Sequence, residues 1–175
     1  MVKADAHLMG AVMQLLLGRY LKGAWNLRAG WNLYHAAKKI QDDRPSDVTP
    51  ELNCLVDFGI GMLNLVLSLL PGSYLALAQL AGFHGQRHTA LSLLSRSYQS
   101  SEFWAPFAAL LLLYFYTQLV PNVGLSSPSD GAAVDLILAA PVATKYKGSA
   151  LFLWMQGGAF RIAGKDTEAI AVLKE

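Results

Sequence analysis

Residues 58–87 read FGIGMLNLVLSLLPGSYLALAQLAGFHGQR, and the organisation of the whole chain follows from how this stretch is read. Pro50 and Glu51 open a helix ahead of it. Asp47 or Thr49 is placed to cap that helix, proline is pre-shaped for a first helical position, and an early glutamate suits the positive helix end. From Cys54 to Leu70 nearly every residue is apolar. The exceptions, Asp57, Asn64 and Ser68, fall within about 40° of one another at ~100° per residue, with Gly61 beside them. A helix that is apolar on almost every side is buried in a protein or in a bilayer. The narrow polar stripe reads as close helix packing at Gly59 and Gly61, or as a groove facing a partner. Gly59-Ile60-Gly61 is not a phosphate loop, because it lies inside a helical pattern without a strand-turn-helix context. Pro71-Gly72 ends the helix. Tyr74 to Ala81 forms a short second helix, Gly82-Phe83-His84-Gly85 turns the chain, and Gln86 to Tyr98 is amphipathic with Leu91, Leu94 and Tyr98 on one face.

Upstream, Gln41 to Pro50 (QDDRPSDVTP) is a polar loop with two prolines and reads as an exposed linker. Arg19 to Ile40 is helical. Trp25, Arg28, Trp31 and His35 step by three and four, and Leu21, Leu27 and Tyr34 add a neighbouring apolar band. Lys22, Arg28, Lys38 and Lys39 are scattered around this helix. A helix lying on a membrane would gather them opposite the tryptophans, so the scatter predicts a solvated surface. Ala4 to Leu17 is a further helix, with Leu8, Val12, Leu15 and Leu16 near one face and Gly18 as the break after it.

Downstream, Phe103 to Val120 (FWAPFAALLLLYFYTQLV) is a second greasy helix, with Pro106 tolerated in its first turn and Pro121-Asn122 as its stop. At ~1.5 Å per residue it is about 27 Å long, short of a ~30 Å bilayer core. It is read as a buried solenoid helix, with a membrane hairpin as the alternative. Asn122 to Gly131 is a Ser/Pro/Gly-rich loop. Ser129-Asp130 is placed to cap a helix from Ala132 to Ala140, and Lys145 to Gly148 is a turn. Ser149 to Glu175 fits one tetratricopeptide repeat, a helix-turn-helix unit of about 34 residues. Gly157 stands where the two helices touch, Phe160 is the aromatic three residues on, and Gly164 lies in the turn. Ala169 belongs to the second helix and Leu173 is its large core residue.

The central block resembles the tetratricopeptide repeat protein 39 family, which includes the fungal inclusion-body-clearance proteins. The family pattern, roughly Phe-Gly-x-Gly-x-x-Asn-x-x-x-Ser-x-Leu-Pro, a short helix, then Gly-Phe-x-Gly-x-Arg, falls on Phe58, Gly59, Gly61, Asn64, Ser68, Leu70, Pro71, Gly82, Phe83, Gly85 and Arg87. An upstream run falls on Lys22, Gly23, Arg28, Trp31 and Tyr34. The chain departs from the pattern at Gly72, His84 and Gln86, where the family usually has proline, a small residue and an acid. The resemblance implies an all-α fold of antiparallel helix pairs in a TPR-like right-handed α-solenoid. It divides the chain into N-terminal helices (1–44), an apolar helical core (50–121), and a helix plus a first partial repeat (130–175), within one continuous solenoid domain. It covers the chain, yet only the N-terminal third of a typical member, and the helical pattern runs into both ends. The chain is therefore expected to be a fragment or a short gene model, with an apolar end at Ser149 to Glu175 and a tendency to self-associate.

At 175 residues with 54% hydrophobic and 15% charged content, the chain is unusually apolar for a soluble protein. A net charge of +2 is too small to argue for nucleic acid. The single cysteine, Cys54, excludes an internal disulfide framework and reads as a buried reduced thiol, consistent with the cytosol. The N-terminus lacks the form of a secretory signal, since Ala4 to His7 interrupts it and no small-residue cleavage site follows. No His-Glu-x-x-His, Gly-x-Ser-x-Gly, Walker or dinucleotide motif occurs. His84 and His88 have metal-like spacing but no third ligand, and no carboxylate pair suits acid-base work. The expected function is therefore a non-enzymatic scaffold without cofactor, binding protein partners in the cytoplasm. The resemblance adds roles in protein turnover, lipid handling or inclusion clearance, and pools in the nucleus or at the mitochondrial outer membrane or lipid droplet. The alternative is a membrane- or lipid-droplet-associated protein that uses residues 54–82 and 103–120 as hydrophobic hairpins.

Overall fold

A computed structural model describes residues 1–69, 79, 82, 83 and 85–174, apart from the side chain of Leu15. The expected Pro71-Gly72 corner, most of the short helix at 74–81, and His84 lie outside the described residues. The described residues are all-α, in agreement with a TPR-like α-solenoid of antiparallel helix pairs. They fall into two compact units, Met1–Leu93 and Leu94–Glu175.

In the first unit, α1 (Val2–Leu16) and α2 (Tyr20–Asp43) form an antiparallel hairpin. The chain reverses at Gly18, whose φ of +70° is a left-handed conformation that a Cβ would strain. A 3-10 turn (Pro45–Asp47) leads to α3 (Pro50–Ser68). Thr49 rather than Asp47 caps this helix, its Oγ1 accepting from the Leu52 N–H at 3.3 Å, and Pro50 takes the first helical position. The stretch read as an exposed linker is only partly so. Gln41 is buried in the last turn of α2, and Val48 is buried between the elements. Helix α4 (Arg87–Tyr98) follows the glycine turn; its residues up to Leu93 belong to this unit and those from Leu94 to the second. The core of this unit gathers Ala4, Tyr34, Val56, Ile60, Leu63 and Leu93, with Leu8, Leu27, Trp31 and Leu52 packed against them. Each aliphatic side chain so buried contributes about 1.5–3 kcal/mol. Val12, Leu16, Leu21 and Trp25, read from periodicity as apolar faces, are all exposed.

In the second unit, α5 (Ala105–Tyr114) carries Pro106 in its first turn and buries Ala105, Ala108, Ala109, Leu112 and Leu113. Helical backbone ends at Asn122, as the Pro121-Asn122 stop predicts, but the stop is preceded by a change of helix type. The backbone widens into a π turn (Phe115–Leu119), resumes as Val120–Asn122, and breaks at Gly124. A proline inside an α-helix lacks an N–H and drives its ring against the carbonyl four residues earlier. The wider turn accommodates it: the Val120 N–H reaches back to the Phe115 carbonyl, five residues away. Helix α6 (Asp130–Leu138) begins without a side-chain cap from Ser129. Asp130 Oδ2 instead accepts from the Ser127 N–H at 2.7 Å. Pro141 opens a separate short helix, α7 (Pro141–Lys145). Helices α8 (Ala150–Ile162) and α9 (Asp166–Val172) form the hairpin of the repeat-like segment, with Ser149 capping α8.

Candidate functional site

The motif residues of the first unit converge on one constellation where α2, α3 and the glycine turn meet. Tyr34, on α2, lies flat against α3 at Gly59. A Cβ on Gly59 would stand 2.0 Å from Tyr34 Cε1, so only glycine admits the ring. The Tyr34 hydroxyl donates to Asp5 Oδ1 at 2.5 Å, which ties α1 into the same crossing. Burial, then the hydrogen bond to Asp5 and its charge, push the Tyr34 hydroxyl far above the ordinary tyrosine range, so it remains a donor.

The glycine turn is held from both sides. On the α2 side, Trp31 meets Phe83 edge-on with centroids 5.6 Å apart, and the Trp31 ring also lies 4.5 Å from His35. Gly82 has a φ of +84°, and a Cβ there would come within 3.2 Å of Arg28 Nη1. On the α3 side, a Cβ on Gly85 would stand 2.6 Å from Leu67 Cβ and from the Ser68 backbone nitrogen. The turn backbone therefore rests directly on the last turn of α3. Asn64 joins the two: its Nδ2 donates to the Ile60 carbonyl at 2.9 Å and its Oδ1 accepts from the Gln86 N–H at 3.2 Å. Ser68 Oγ donates to the Leu65 carbonyl at 2.7 Å. Asp57 is buried, accepts from Gln41 Nε2 at 3.3 Å, and has Lys38 Nζ at 4.0 Å.

The structure thus brings Arg28, Trp31, Tyr34, Gly59, Asn64, Ser68, Gly82, Phe83 and Gly85 together. Gly23 and Gly61 are buried and Phe58 is half-buried, while Lys22 and Arg87 are exposed. Pro71 lies outside the described residues. Sequence reasoning missed Asp5, Lys38 and Gln41, the partners of Tyr34 and Asp57. Their only signal was polarity inside otherwise helical runs. The polar groups here are spent on holding helices together. Among the described residues, no group of three His, Cys, Asp or Glu side chains is close enough to hold a metal ion.

The repeat-like hairpin is arranged differently. Gly157 is buried where α8 meets α9, and Ala169 is buried opposite. Leu173, expected as the large core residue, touches Gly157 yet is 57% exposed. With Trp154, Gly158 and Ile170 it lines an open groove of about 440 Å³, edged by Gln118, Arg161 and Asp166. Arg161 Nη2 donates to Gln118 Oε1 at 3.3 Å on this margin. The π turn supplies that edge: Gln118 and the fully buried Thr117 both come from it, and Gly158 is the residue that lets them approach α8. Phe160 faces a second groove of about 280 Å³ with Tyr116, Asp130, Val134 and Lys165. Burial, followed by the charge of Asp130 and by Tyr98, raises the Tyr116 hydroxyl. Gly164, with a φ of +71°, makes the turn between the two helices.

The model of the family described as Iml2/Tetratricopeptide repeat protein 39 matches residues 1–175. No solved structure matches the chain.

Proposed function

This chain belongs to the Iml2/Tetratricopeptide repeat protein 39 family, and from that premise we propose that it is a non-enzymatic helical-repeat scaffold that binds other proteins. The observation that carries this reading is the fate of the polar stripe on α3. Asp57 accepts from Gln41 of α2 and Asn64 accepts from the Gln86 N–H of the glycine turn, so both are met by groups outside their own helix, whereas Ser68 bonds back to the Leu65 carbonyl within α3. A helix facing lipid would leave the Asp57 carboxylate to be shielded at a cost of roughly a few kcal/mol. Pro50–Ser68 is long and apolar enough to cross a membrane, yet 56% of its apolar window is buried against protein. That weighs against the alternative in which residues 54–82 and 103–120 act as membrane hairpins.

The exposed groove beside Trp154, Ile170 and Leu173 is the surface on which a partner docks, since large apolar side chains in a concave site are where binding energy concentrates. The chain acts in the cytoplasm, in line with the family's roles in protein turnover, lipid handling or inclusion clearance. The test is site-specific photocrosslinking in cells from Ile170, with the exposed Thr144 as the control position. A discrete adduct from Ile170 that Leu173→Asp abolishes supports the reading. Equal labelling from both positions, or none, overturns it.

A further inference from the structure

We propose that the end of the α1–α2 hairpin is a membrane-insertion tip that docks on bilayers rich in anionic phospholipid. Large apolar side chains crowd this end without cover: Leu16 is 78% exposed, Leu17 66%, Tyr20 70%, Leu21 90% and Trp25 77%. Gly18 reverses the chain between them, so Leu17 and Tyr20 stand at the apex. Leu21 and Trp25, four residues apart, share the face of α2 that continues from it. Two cations, Arg19 and Lys22, are exposed among these residues.

The charge around the tip has one sign. Between Asp5 and Asp42 the sequence contains no acidic residue, and the cations at the tip are Arg19 and Lys22, with Arg28 further along α2. Lys38 and Lys39 lie at the far end of that helix, about 24 Å from Lys22 at ~1.5 Å per residue, and Lys38 is paired with Asp42. Helix α2 also begins with no side-chain cap and no acid in its first turn, so its positive end adds to the same field. The scatter of basic residues around α2 argues against a helix lying flat on a membrane. An end-on tip has a different requirement: an apolar apex with tryptophan and tyrosine at interface depth and cations at the level of the headgroups. A protein partner or a second copy would not need the surrounding charge to be uniformly positive, whereas an anionic surface does.

Docking through this tip requires neither the protein-binding groove of the second unit nor the entry of residues 54–82 or 103–120 into lipid. The experiment is flotation of the purified full chain with phosphatidylcholine vesicles, with and without about 30% phosphatidylserine, the anionic lipid that draws juxtamembrane cations. The chain is expected to float with the anionic vesicles alone, and less so at high salt. Arg19→Gln and Lys22→Gln are each expected to weaken binding about 5-fold. Leu21→Asp combined with Trp25→Ala is expected to abolish it while the circular dichroism spectrum is unchanged. The emission of the protein is expected to shift blue on vesicles, and Trp25→Phe removes most of that shift. Failure to float with anionic vesicles overturns the proposal. So does flotation that the tip variants leave intact, which would place the contact in the longer apolar stretches. A concentration-dependent dimer dispersed by Leu21→Asp also overturns it, because a second copy would then cover the tip.

Discussion

Two glycines in this chain occupy helix crossings of opposite character. Gly59 faces the ring of Tyr34, a stiff side chain fixed at its far end by Asp5 and buried in the core of its unit. Gly157 faces Leu173, a flexible side chain that is largely exposed. The first crossing is filled by the ring and fixed by its hydrogen bond to Asp5. The second is half of a contact, with its groove open. A motif glycine therefore means different things in the two regions. In one it fixes how three elements meet, and in the other it shapes a surface.

Substitutions measure the difference, and the largest effect belongs to Gly59. Gly59→Ala sets a methyl 2.0 Å from Tyr34 Cε1, and overpacking against a ring that cannot turn away costs about 3 kcal/mol or more. Chemical denaturation of the variant measures this. Adding Tyr34→Ala to Gly59→Ala is expected to restore part of the loss, so a purely additive double variant would break the account of that crossing. Gly85→Ala comes next, at about 2–3 kcal/mol, because the added carbon meets the backbone of α3 at Ser68 rather than a side chain that can move.

Tyr34→Phe is milder, about 1–2 kcal/mol, since it keeps the ring and removes only the hydrogen bond to Asp5. It has a signature in pH. The folded pKa of Tyr34 is raised above its unfolded value of about 10. Its contribution is therefore fully present below pH 10 and is lost as pH rises beyond that. Stability measured from pH 9 upward is expected to fall more steeply for the parent than for Tyr34→Phe, and parallel curves would mean that neither burial nor Asp5 holds the Tyr34 hydroxyl in its protonated form. The smallest effect is expected at Gly157→Ala, within about 0.5 kcal/mol, because Leu173 can swing into solvent. A cost equal to that of Gly59→Ala would erase the contrast between the two regions.

The sequence makes one side of each contact legible and leaves the other side hidden. Gly59 and Gly61 inside an apolar helix announce close packing, but nothing in residues 50–68 names Tyr34 as the neighbour. The run carrying Tyr34 was legible as part of a family pattern, while Asp5 stood out only as an interruption near the N-terminus. Asp57, Asn64 and Ser68 are visible as a stripe, but of the partners of Asp57, Gln41 stands at the start of the stretch that reads as a linker and Lys38 among the scattered cations of α2. Pro121-Asn122 reads as a stop and the helix does end at Asn122, but the π turn just ahead of it is a backbone solution that residue-by-residue reasoning does not reach. Leu173 reads as the large core residue of the repeat, a position that a stacked neighbour usually covers. The pattern within one hairpin does not specify that neighbour. The exposed tip at Leu17 to Leu21 follows from the same gap: periodicity identifies an apolar face but not what lies over it.

The hydrogen bond from the Gln86 N–H to Asn64 spans 22 residues of chain, and this separation has a meaning during synthesis. At about 5–20 residues per second, Gln86 leaves the ribosome some one to four seconds after Asn64. Throughout that interval α3 has emerged with the Asn64 oxygen unmet and its last turn not yet covered by Gly85. The close-fitting crossing at Tyr34 can form at once, because both of its sides precede the turn. The nascent chain thus passes through a timed state in which a long apolar helix is gripped on one side and bare on the other, and that state is the one a cotranslational chaperone would meet.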